Sequence, residues 1–243
     1  MTAPLLLAIL LGGLAQRATG MGLTLVSAPF IVVALGPAAG VVVGNILGVV
    51  ASLMVLSRVW RYVEWRMLRT MVPSALVGVL AGTLLAETLP AAWAQVLIGV
   101  LILLALSVSS IVARVHHVER STKVTAMASA ASGATSALAS IGGPAMAVLR
   151  TLTRWEHQTF TATLQPFFIA VSTVTVLVRV GANPTAWPDL GWGWLAIGLV
   201  MAAGVALGDV VTRRVSARVV GVSITAIAAL GAVWTLVDGL AAL

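Results

Sequence analysis

The sequence contains no cysteine, a single tyrosine and few charged residues, which make up only 9% of its 243 residues. About a quarter of the residues in soluble domains are charged, so this composition excludes an ordinary soluble globular protein. The lack of cysteine excludes a disulfide framework and thiol chemistry. The sequence also lacks the patterns of nucleotide-binding loops, catalytic triads and zinc-ligand sets. We therefore expect no enzyme, no cofactor and no metal site.

Hydrophobic residues dominate what is present, with 60% of the chain and a mean hydropathy of +1.10. The net charge of +7 would suggest nucleic acid if the basic residues formed a patch on a soluble domain. Here they fall in short clusters between apolar stretches, which is typical of orientation in a lipid bilayer. The sequence therefore predicts an all-α integral membrane protein that crosses the cell (cytoplasmic) membrane several times and binds no nucleic acid.

Six apolar stretches are long enough to cross roughly 30 Å of hydrocarbon as helices. They are Ala38 to Ser57, Thr70 to Ala86, Ala91 to Val112, Gln158 to Val178, Gly191 to Val211 and Val219 to Val237. Two further apolar regions, Pro4 to Leu35 and Val124 to Leu149, are interrupted by the glycine clusters "ATGMG" and "SIGGP". Because glycine is unfavourable inside a helix, a helix is expected to stop at each cluster.

The basic residues predict how the two interrupted regions lie in the membrane. Twelve of the 14 fall in four clusters, which we assign to the cytoplasmic side: Arg58, Arg61, Arg66, Arg69; Arg114, Arg120, Lys123; Arg150, Arg154; Arg213, Arg214, Arg218. The region 124–149 starts and ends at such clusters, so we expect a re-entrant hairpin with "SIGGP" at its tip. We expect region 4–35 to form a second re-entrant hairpin, which enters from the outer face and has "ATGMG" at its tip. Broken single spans are the alternative.

This topology predicts an inverted repeat, because each unit has a hairpin followed by an odd number of spans. The first repeat covers residues 1–112, a cytoplasmic connecting loop covers 113–123, and the second repeat covers 124–243. "GVLAG" at Gly78 to Gly82 corresponds to "GVALG" at Gly204 to Gly208. For these glycines and for Gly40, Gly44 and Gly48 we favour close helix packing. Tryptophans near the span ends are expected to be interfacial anchors: Trp60, Trp65, Trp155, Trp187, Trp192 and Trp194.

The two hairpin tips are the expected substrate site. Irregular backbone at membrane depth is tolerated where it is buried in protein or lines a watery cavity, and many inverted-repeat transporters bind substrate there. Helices that begin near Gly22 and near Pro144 would direct N–H groups and a positive dipole end at the site. Such a site favours an anion.

Three segments of the sequence resemble the TauE/SafE sulfite-exporter family of membrane permeases. They are "GGLAQRATGMGLTLVSAPFIVVALG", "VEWRMLRTMVPSALVGVLAGTLLAETLP" and "SGATSALASIGGPAMAVL". The resemblance covers nearly the whole chain and implies two related halves that move sulfite, sulfonates or other small sulfur-containing anions. At the first tip, "TGMG" replaces the richer "GIGGG" type of run found in the family.

Arg17 is the most distinctive candidate for contact with the anion, because it lies between two apolar arms and apart from every basic cluster. A charge at membrane depth is costly unless it is paired or hydrated, and a guanidinium suits oxyanions. The alternative is an edge position from which Arg17 snorkels to water. The other candidates are Thr19, Gly20, Gly22, Asn45, Ser140, Gly142, Gly143, Pro144, Thr163 and Gln165. Ser132, Ser136 and Ser140 share a helix face, where they either line the site or bond the preceding turn.

The sequence thus predicts a secondary transporter for a small sulfur-containing or organic anion that works by alternating access. The alternative is a membrane channel, or an accessory subunit without carrier activity. A coupling ion, either a proton or sodium, and a homo-oligomer are both compatible with this prediction.

Overall fold

The computed structural model of the chain describes residues 3–20, 22–112, 118–214 and 217–243. Within those ranges it leaves out the side chains of residues 3, 17–19, 108–112, 209, 211–214, 217–221 and 224. The described chain is helical and contains no strand, which confirms the predicted all-α class. Its helices are α1 Ala3–Thr19, α2 Gly22–Leu35, α3 Pro37–Val59, α4 Trp65–Thr88, α5 Ala91–Val112, α6 Thr122–Ala139, α7 Gly143–Thr153, α8 His157–Ala182, α9 Gly193–Arg214 and α10 Ala217–Ala241.

Several of these helices are apolar enough to lie in a membrane. Within the described residues, three are both long and apolar enough to cross one: Pro37–Tyr62, Trp65–Thr88 and His157–Ala182. Shorter apolar segments occur in the other long helices, at Ala91–Ser107, Gly193–Gly208 and Thr225–Ala241. The total of six crossings stays a prediction.

The helix boundaries at the two glycine clusters are sharp breaks, each with a residue of positive φ. α1 is followed by Gly20 with φ of +79°, and α6 is followed by Ser140 with φ of +56°. The Gly20 N–H donates to the Gln16 carbonyl at 2.8 Å, and the Ser140 N–H donates to the Ser136 carbonyl at 2.9 Å. A left-handed residue just beyond the last turn is a common way to end a helix. The two helices therefore stop at the glycine clusters, as the sequence predicts.

The first three helices, α1–α3, correspond to α6–α8 when the residue numbers are shifted by 120. The shift brings Pro37, where α3 begins, onto His157, where α8 begins, and brings Gly20 onto Ser140. It also pairs Gly13 with Gly133, Gln16 with Ser136, Gly22 with Gly142, and Asn45 with Gln165.

The packing of the helices follows the same correspondence. α4 packs against α6 and α1 against α9, while α3 packs against α8 and α5 against α10. A Cβ added at Gly78 would meet the carbonyl group of Ala130, and one added at Gly204 would meet that of Leu10. Glycine allows the two backbones to approach this closely, so the helix-packing interpretation is confirmed at both glycines.

α3 and α8 run in opposite directions. Midway along α3, a Cβ built on Gly48 would lie 3.5 Å from Ser172 Oγ in the second half of α8. Just after α3, the Glu64 N–H donates to Thr163 Oγ1 at 2.9 Å in the first half of α8. As the chain advances along α3, its neighbours on α8 therefore come earlier in the sequence.

Glu64 joins the ends of several helices. Its Oε1 accepts a hydrogen bond from Trp155 Nε1 at 2.7 Å, and its Oε2 lies 3.3 Å from Arg120 Nη2. The Arg120 guanidinium also lies 4.6 Å from the centre of the Trp155 ring. Trp155 is only 5% exposed, so the expectation of an interfacial anchor is wrong for this residue. Its indole is covered because it has a carboxylate partner and a cation above it.

Arg179 and Glu87 join the opposite ends of α4 and α8. Arg179 Nη1 donates to Glu87 Oε1 at 2.8 Å, and the arginine is 4% exposed. The sequence predicts that Arg179 lies in an outer loop, on the same side as the acidic residues Glu87, Asp189 and Asp238. The structure corrects this, because Arg179 lies in the last turn of α8 and has a carboxylate partner from α4.

Candidate functional site

A small cavity lies where the two helix breaks meet α3 and α8, and we call it the central cavity. About 30 Å³ of it is open to water-sized molecules, which is room for about two or three waters. It is lined by Gln16, Leu23, Thr24, Gly48, Ser52, Ser136, Ser140, Gly142, Gly143, Phe168 and Ser172.

The lining of the central cavity mixes polar and apolar groups, and it is uncharged among the residues that the structure describes. Hydroxyl groups come from α2, α3, α6 and α8, and an amide comes from Gln16 on α1. α2 and α7 both begin at this cavity, where the first N–H groups of a helix have no partner within the helix. Hydroxyl and N–H donors without a fixed positive charge suit a small oxyanion or water.

Most of the lining occurs as pairs related by the shift of 120 residues. Ser52 pairs with Ser172, Gln16 with Ser136, Leu23 with Gly143, and Gly48 with Phe168. Each half of the chain therefore contributes equivalent positions to one cavity. This arrangement places the cavity between the halves rather than within one of them.

Gln16 holds the first break in place. Its Nε2 donates to the Gly20 carbonyl at 3.1 Å, and its Oε1 accepts from the Leu23 N–H at 3.2 Å. One buried amide thus bonds the chain on both sides of the break. The side chain replaces hydrogen bonds that the interrupted helix cannot make.

Asn45 and Gln165 each bond the break of the other half. Asn45 Nδ2 donates to the Ser136 carbonyl at 3.1 Å, and Asn45 Oδ1 accepts from Ser136 Oγ at 2.8 Å. Gln165 Nε2 donates to the Gly20 carbonyl at 3.2 Å and to the Thr161 carbonyl at 2.7 Å. The side chains of α3 and α8 therefore stabilise the backbone around the cavity across the two halves.

Two buried polar atoms near the breaks lack a hydrogen-bond partner in the described chain. They are the Oγ of Ser140, a residue that lines the central cavity, and Gln165 Oε1. Ser140 is 3% exposed and Gln165 is fully buried. An unsatisfied buried polar atom costs about 1 to 3 kcal/mol, so a ligand or water that bonds Ser140 Oγ would be favoured.

Comparison with protein families gives one match. The profile of the TauE/SafE sulfite exporter family matches residues 5–235, which is nearly the whole chain. The chain belongs to the TauE/SafE family. No curated protein and no solved structure gives a significant match.

Membership of the TauE/SafE family, together with the apolar helices, identifies an integral membrane protein. The family consists of membrane transporters rather than enzymes, and its description points to sulfur-containing anions. The family name thus agrees with a cavity whose donors suit an oxyanion.

The structure of this TauE/SafE chain brings several predicted site residues together at the central cavity. Ser140, Gly142 and Gly143 line it. Gly20, Asn45 and Gln165 form the hydrogen-bonded layer behind it, as the contacts above describe. Gly22 begins α2 and packs against Ala15, whose Cβ would lie 2.7 Å from a Cβ on Gly22.

Four predicted residues lie elsewhere or outside the described side chains. Thr163 faces the start of α4, where its Oγ1 accepts from the Glu64 N–H, so it does not line the cavity. Pro144 lines a separate apolar pocket beside α5. Arg17 and Thr19 belong to the last turns of α1, and their side chains are outside the described part of the chain.

The sequence prediction missed Thr24, Ser52 and Ser172 as lining residues and did not assign Gln16 to the site. A shift of 120 residues relates Ser52 to Ser172 and Gln16 to Ser136, and this regularity could have found them. Gly44 agrees with the packing interpretation, whereas Gly48 differs from it. A Cβ at Gly44 would press on Ser140 of the second break, and Gly48 lines the cavity.

Proposed function

We propose that this chain is a secondary transporter for a small anion, such as sulfite, a sulfonate or a related sulfur-containing or organic acid, bound in the central cavity. The observation that carries this proposal is a cavity between both helix breaks that is lined by hydroxyl-bearing residues, among them Ser140, whose buried Oγ has no hydrogen-bond partner in the described chain. Hydroxyl groups and the starts of α2 and α7 would bind the oxygens of the anion.

We further propose that the chain forms an inverted repeat, with α1–α5 and α6–α10 as its two units. The correspondence of Pro37 with His157 and the opposite directions of α3 and α8 support this division. In each unit the first two helices would form a hairpin that enters the membrane and returns. The hydrogen bond from the Val118 N–H to the Leu152 carbonyl at 2.9 Å supports this return for α6 and α7.

Alternating access would then exchange the side on which the central cavity opens. Contacts at the two ends of α4 are suited to stabilise the two states of the transporter, one open to each side of the membrane. The cluster of Glu64, Arg120 and Trp155 joins helices at one end, and the pair of Glu87 and Arg179 joins them at the other.

Counterflow in liposomes tests whether the protein is a carrier. We expect labelled sulfite outside to enter faster when unlabelled sulfite is loaded inside. A channel would allow influx without such stimulation, and an accessory subunit would allow none. Either result would contradict the proposal.

Reporter fusions test the predicted topology. Fusions after Arg120 and after Arg154 should both report the cytoplasm, whereas a fusion near Pro184 should report the outside. The hydrogen bond between Val118 and Leu152 brings the first two fusion sites to one side of the fold. An external reporter after Arg154 would contradict the inverted repeat.

We propose that Arg17 supplies a positive charge to the bound anion, because the described lining of the central cavity is uncharged. Arg17→Gln should lower sulfite affinity by roughly thirtyfold to several-thousandfold, the equivalent of about 2 to 5 kcal/mol. Arg17→Lys should have a smaller effect because it keeps the charge and loses only the planar donors. Affinity is measured from the concentration dependence of counterflow, and Arg69→Gln is the control for an exposed arginine. Unchanged affinity in Arg17→Gln would assign Arg17 to the membrane edge.

A further inference from the structure

Gly48 and Phe168 occupy equivalent positions in the two halves but differ greatly in size. A shift of 120 residues relates them, and both line the central cavity. Two other pairs of lining residues also differ in size: Leu23 with Gly143, and Gln16 with Ser136. The Gln16 amide is committed to hydrogen bonds on both sides of the first break. Leu23 is 1% exposed and packs in a hydrophobic core with Ile9 and Ile31, so its side chain is already committed to that core. Phe168 also packs against a core, beside Phe167, but it is only partly buried and lines the cavity as well.

The Phe168 ring covers the start of α7. A Cβ built on Gly142 would lie 3.2 Å from Phe168 Cε1, so the ring edge is in contact with the backbone just before that helix. The ring therefore fills space on the side of the cavity where the second break presents its N–H groups.

The equivalent space beside Gly48 is open. A Cβ built on Gly48 would meet only Ser172 Oγ at 3.5 Å and Thr24 Cγ2 at 3.8 Å. Both distances are ordinary van der Waals contacts, so a methyl group fits there without displacing a neighbour. The missing side chain thus contributes directly to the room inside a cavity of about 30 Å³.

We infer that Phe168 and Gly48 together set the size of the anion that the central cavity accepts. This inference rests on the proposed transport function. Phe168 limits the site to an anion about as large as sulfite, and Gly48 provides the room that this anion needs. An alkyl group on a sulfonate would have to occupy the position of the Phe168 ring.

Competition in the counterflow assay tests this inference. Uptake of labelled sulfite is measured against unlabelled methanesulfonate and ethanesulfonate in the parent protein and in Phe168→Ala, Phe168→Leu and Gly48→Ala. Both Phe168 variants should improve inhibition by the alkylsulfonates relative to sulfite, by about tenfold for alanine and less for leucine. Gly48→Ala should weaken both alkylsulfonates more than it weakens sulfite.

Matched controls separate cavity size from general damage. Phe30→Leu removes the same ring atoms from another partly buried phenylalanine, which packs against Trp234 and does not line the cavity. Gly198→Ala adds a methyl group at a helical glycine where nothing lies within 4 Å. Neither control should change the ratio of alkylsulfonate to sulfite inhibition.

The outcomes distinguish the inference from the function on which it rests. If the parent protein shows no sulfite counterflow, the proposed function fails. If the parent transports sulfite but the inhibition ratio stays within twofold in Phe168→Leu and Gly48→Ala, the size inference is overturned. Should Phe168→Ala fail to fold, Phe168→Leu and Gly48→Ala still decide the question.

Discussion

Gly142→Val should abolish sulfite counterflow while the protein still inserts and folds. A Cβ at this position would lie 2.7 Å from Ser132 Oγ, 3.2 Å from the Ser132 carbonyl oxygen and 3.2 Å from Phe168 Cε1. Ser132 Oγ also donates to the Gly142 carbonyl at 2.8 Å. A branched side chain would therefore push α7 away from α6 in the wall of the central cavity.

The expected loss of transport is at least about a hundredfold, because a displacement of about 1 Å in a binding site can have an effect of that size. Overpacking costs about 1 to 3 kcal/mol of stability, so much of the protein should remain folded. Gly142 has φ of −85°, which any residue can adopt, so the effect is steric rather than conformational.

Size-exclusion chromatography and counterflow on the same preparations measure folding and transport separately. Gly142→Ala combined with Ser132→Ala should recover part of the activity, because the closest contact is to the serine hydroxyl. Gly198→Val serves as the control, since nothing lies within 4 Å of a Cβ there. Normal transport by Gly142→Val would remove the second break from the proposed site.

Glu87→Gln should destabilise the protein strongly, by about 3 kcal/mol. Glu87 pairs with the Arg179 guanidinium at 2.8 Å, and the arginine side chain is only 5% exposed. Removing one partner of a buried pair typically costs about 3 to 5 kcal/mol, because the other charge is left buried without compensation. We expect the lower end of that range because the Glu87 side chain is 30% exposed.

Replacing both partners tests this explanation. Glu87→Gln combined with Arg179→Met should be within about 1 kcal/mol of the parent, because no buried charge is left alone. Asp189→Asn, at an exposed acidic residue, should change stability by less than about 0.5 kcal/mol. Denaturant unfolding in detergent measures all three variants. A double variant as unstable as Glu87→Gln would mean that Arg179 does not account for the loss.

The membrane class of the protein and the two helix breaks could be predicted from the sequence, because both depend on local properties of the chain. Apolar stretches of the required length predict membrane helices whatever their neighbours are. The glycine clusters predict the ends of α1 and α6, since the cost of glycine in a helix is a property of the residue itself. The repeating glycine motif at Gly78 and Gly204 similarly predicts close helix packing, which both residues show.

The neighbours of a polar side chain could not be predicted in the same way. Thr163 and Gln165 are two residues apart on α8, yet Thr163 bonds the start of α4 whereas Gln165 bonds the first break. Both are buried, so their burial does not separate these roles. The two residues differ because their side chains point in different directions around α8, toward different packing elements.

The sequence by itself determined the membrane class of this protein, its helical composition, the positions of the two breaks and its family. The class and the helices follow from hydrophobicity, the breaks follow from the low helix propensity of glycine, and the family follows from the order of the motifs along the chain. Only the tertiary structure decided that Asn45 bonds Ser136, that Gln165 bonds Gly20 and that Glu87 neutralises Arg179. These partners are 91, 145 and 92 residues apart in sequence, so no local preference specifies them. They meet because helices from different halves of the chain pack together, and each polar group that this packing buries must find a partner there.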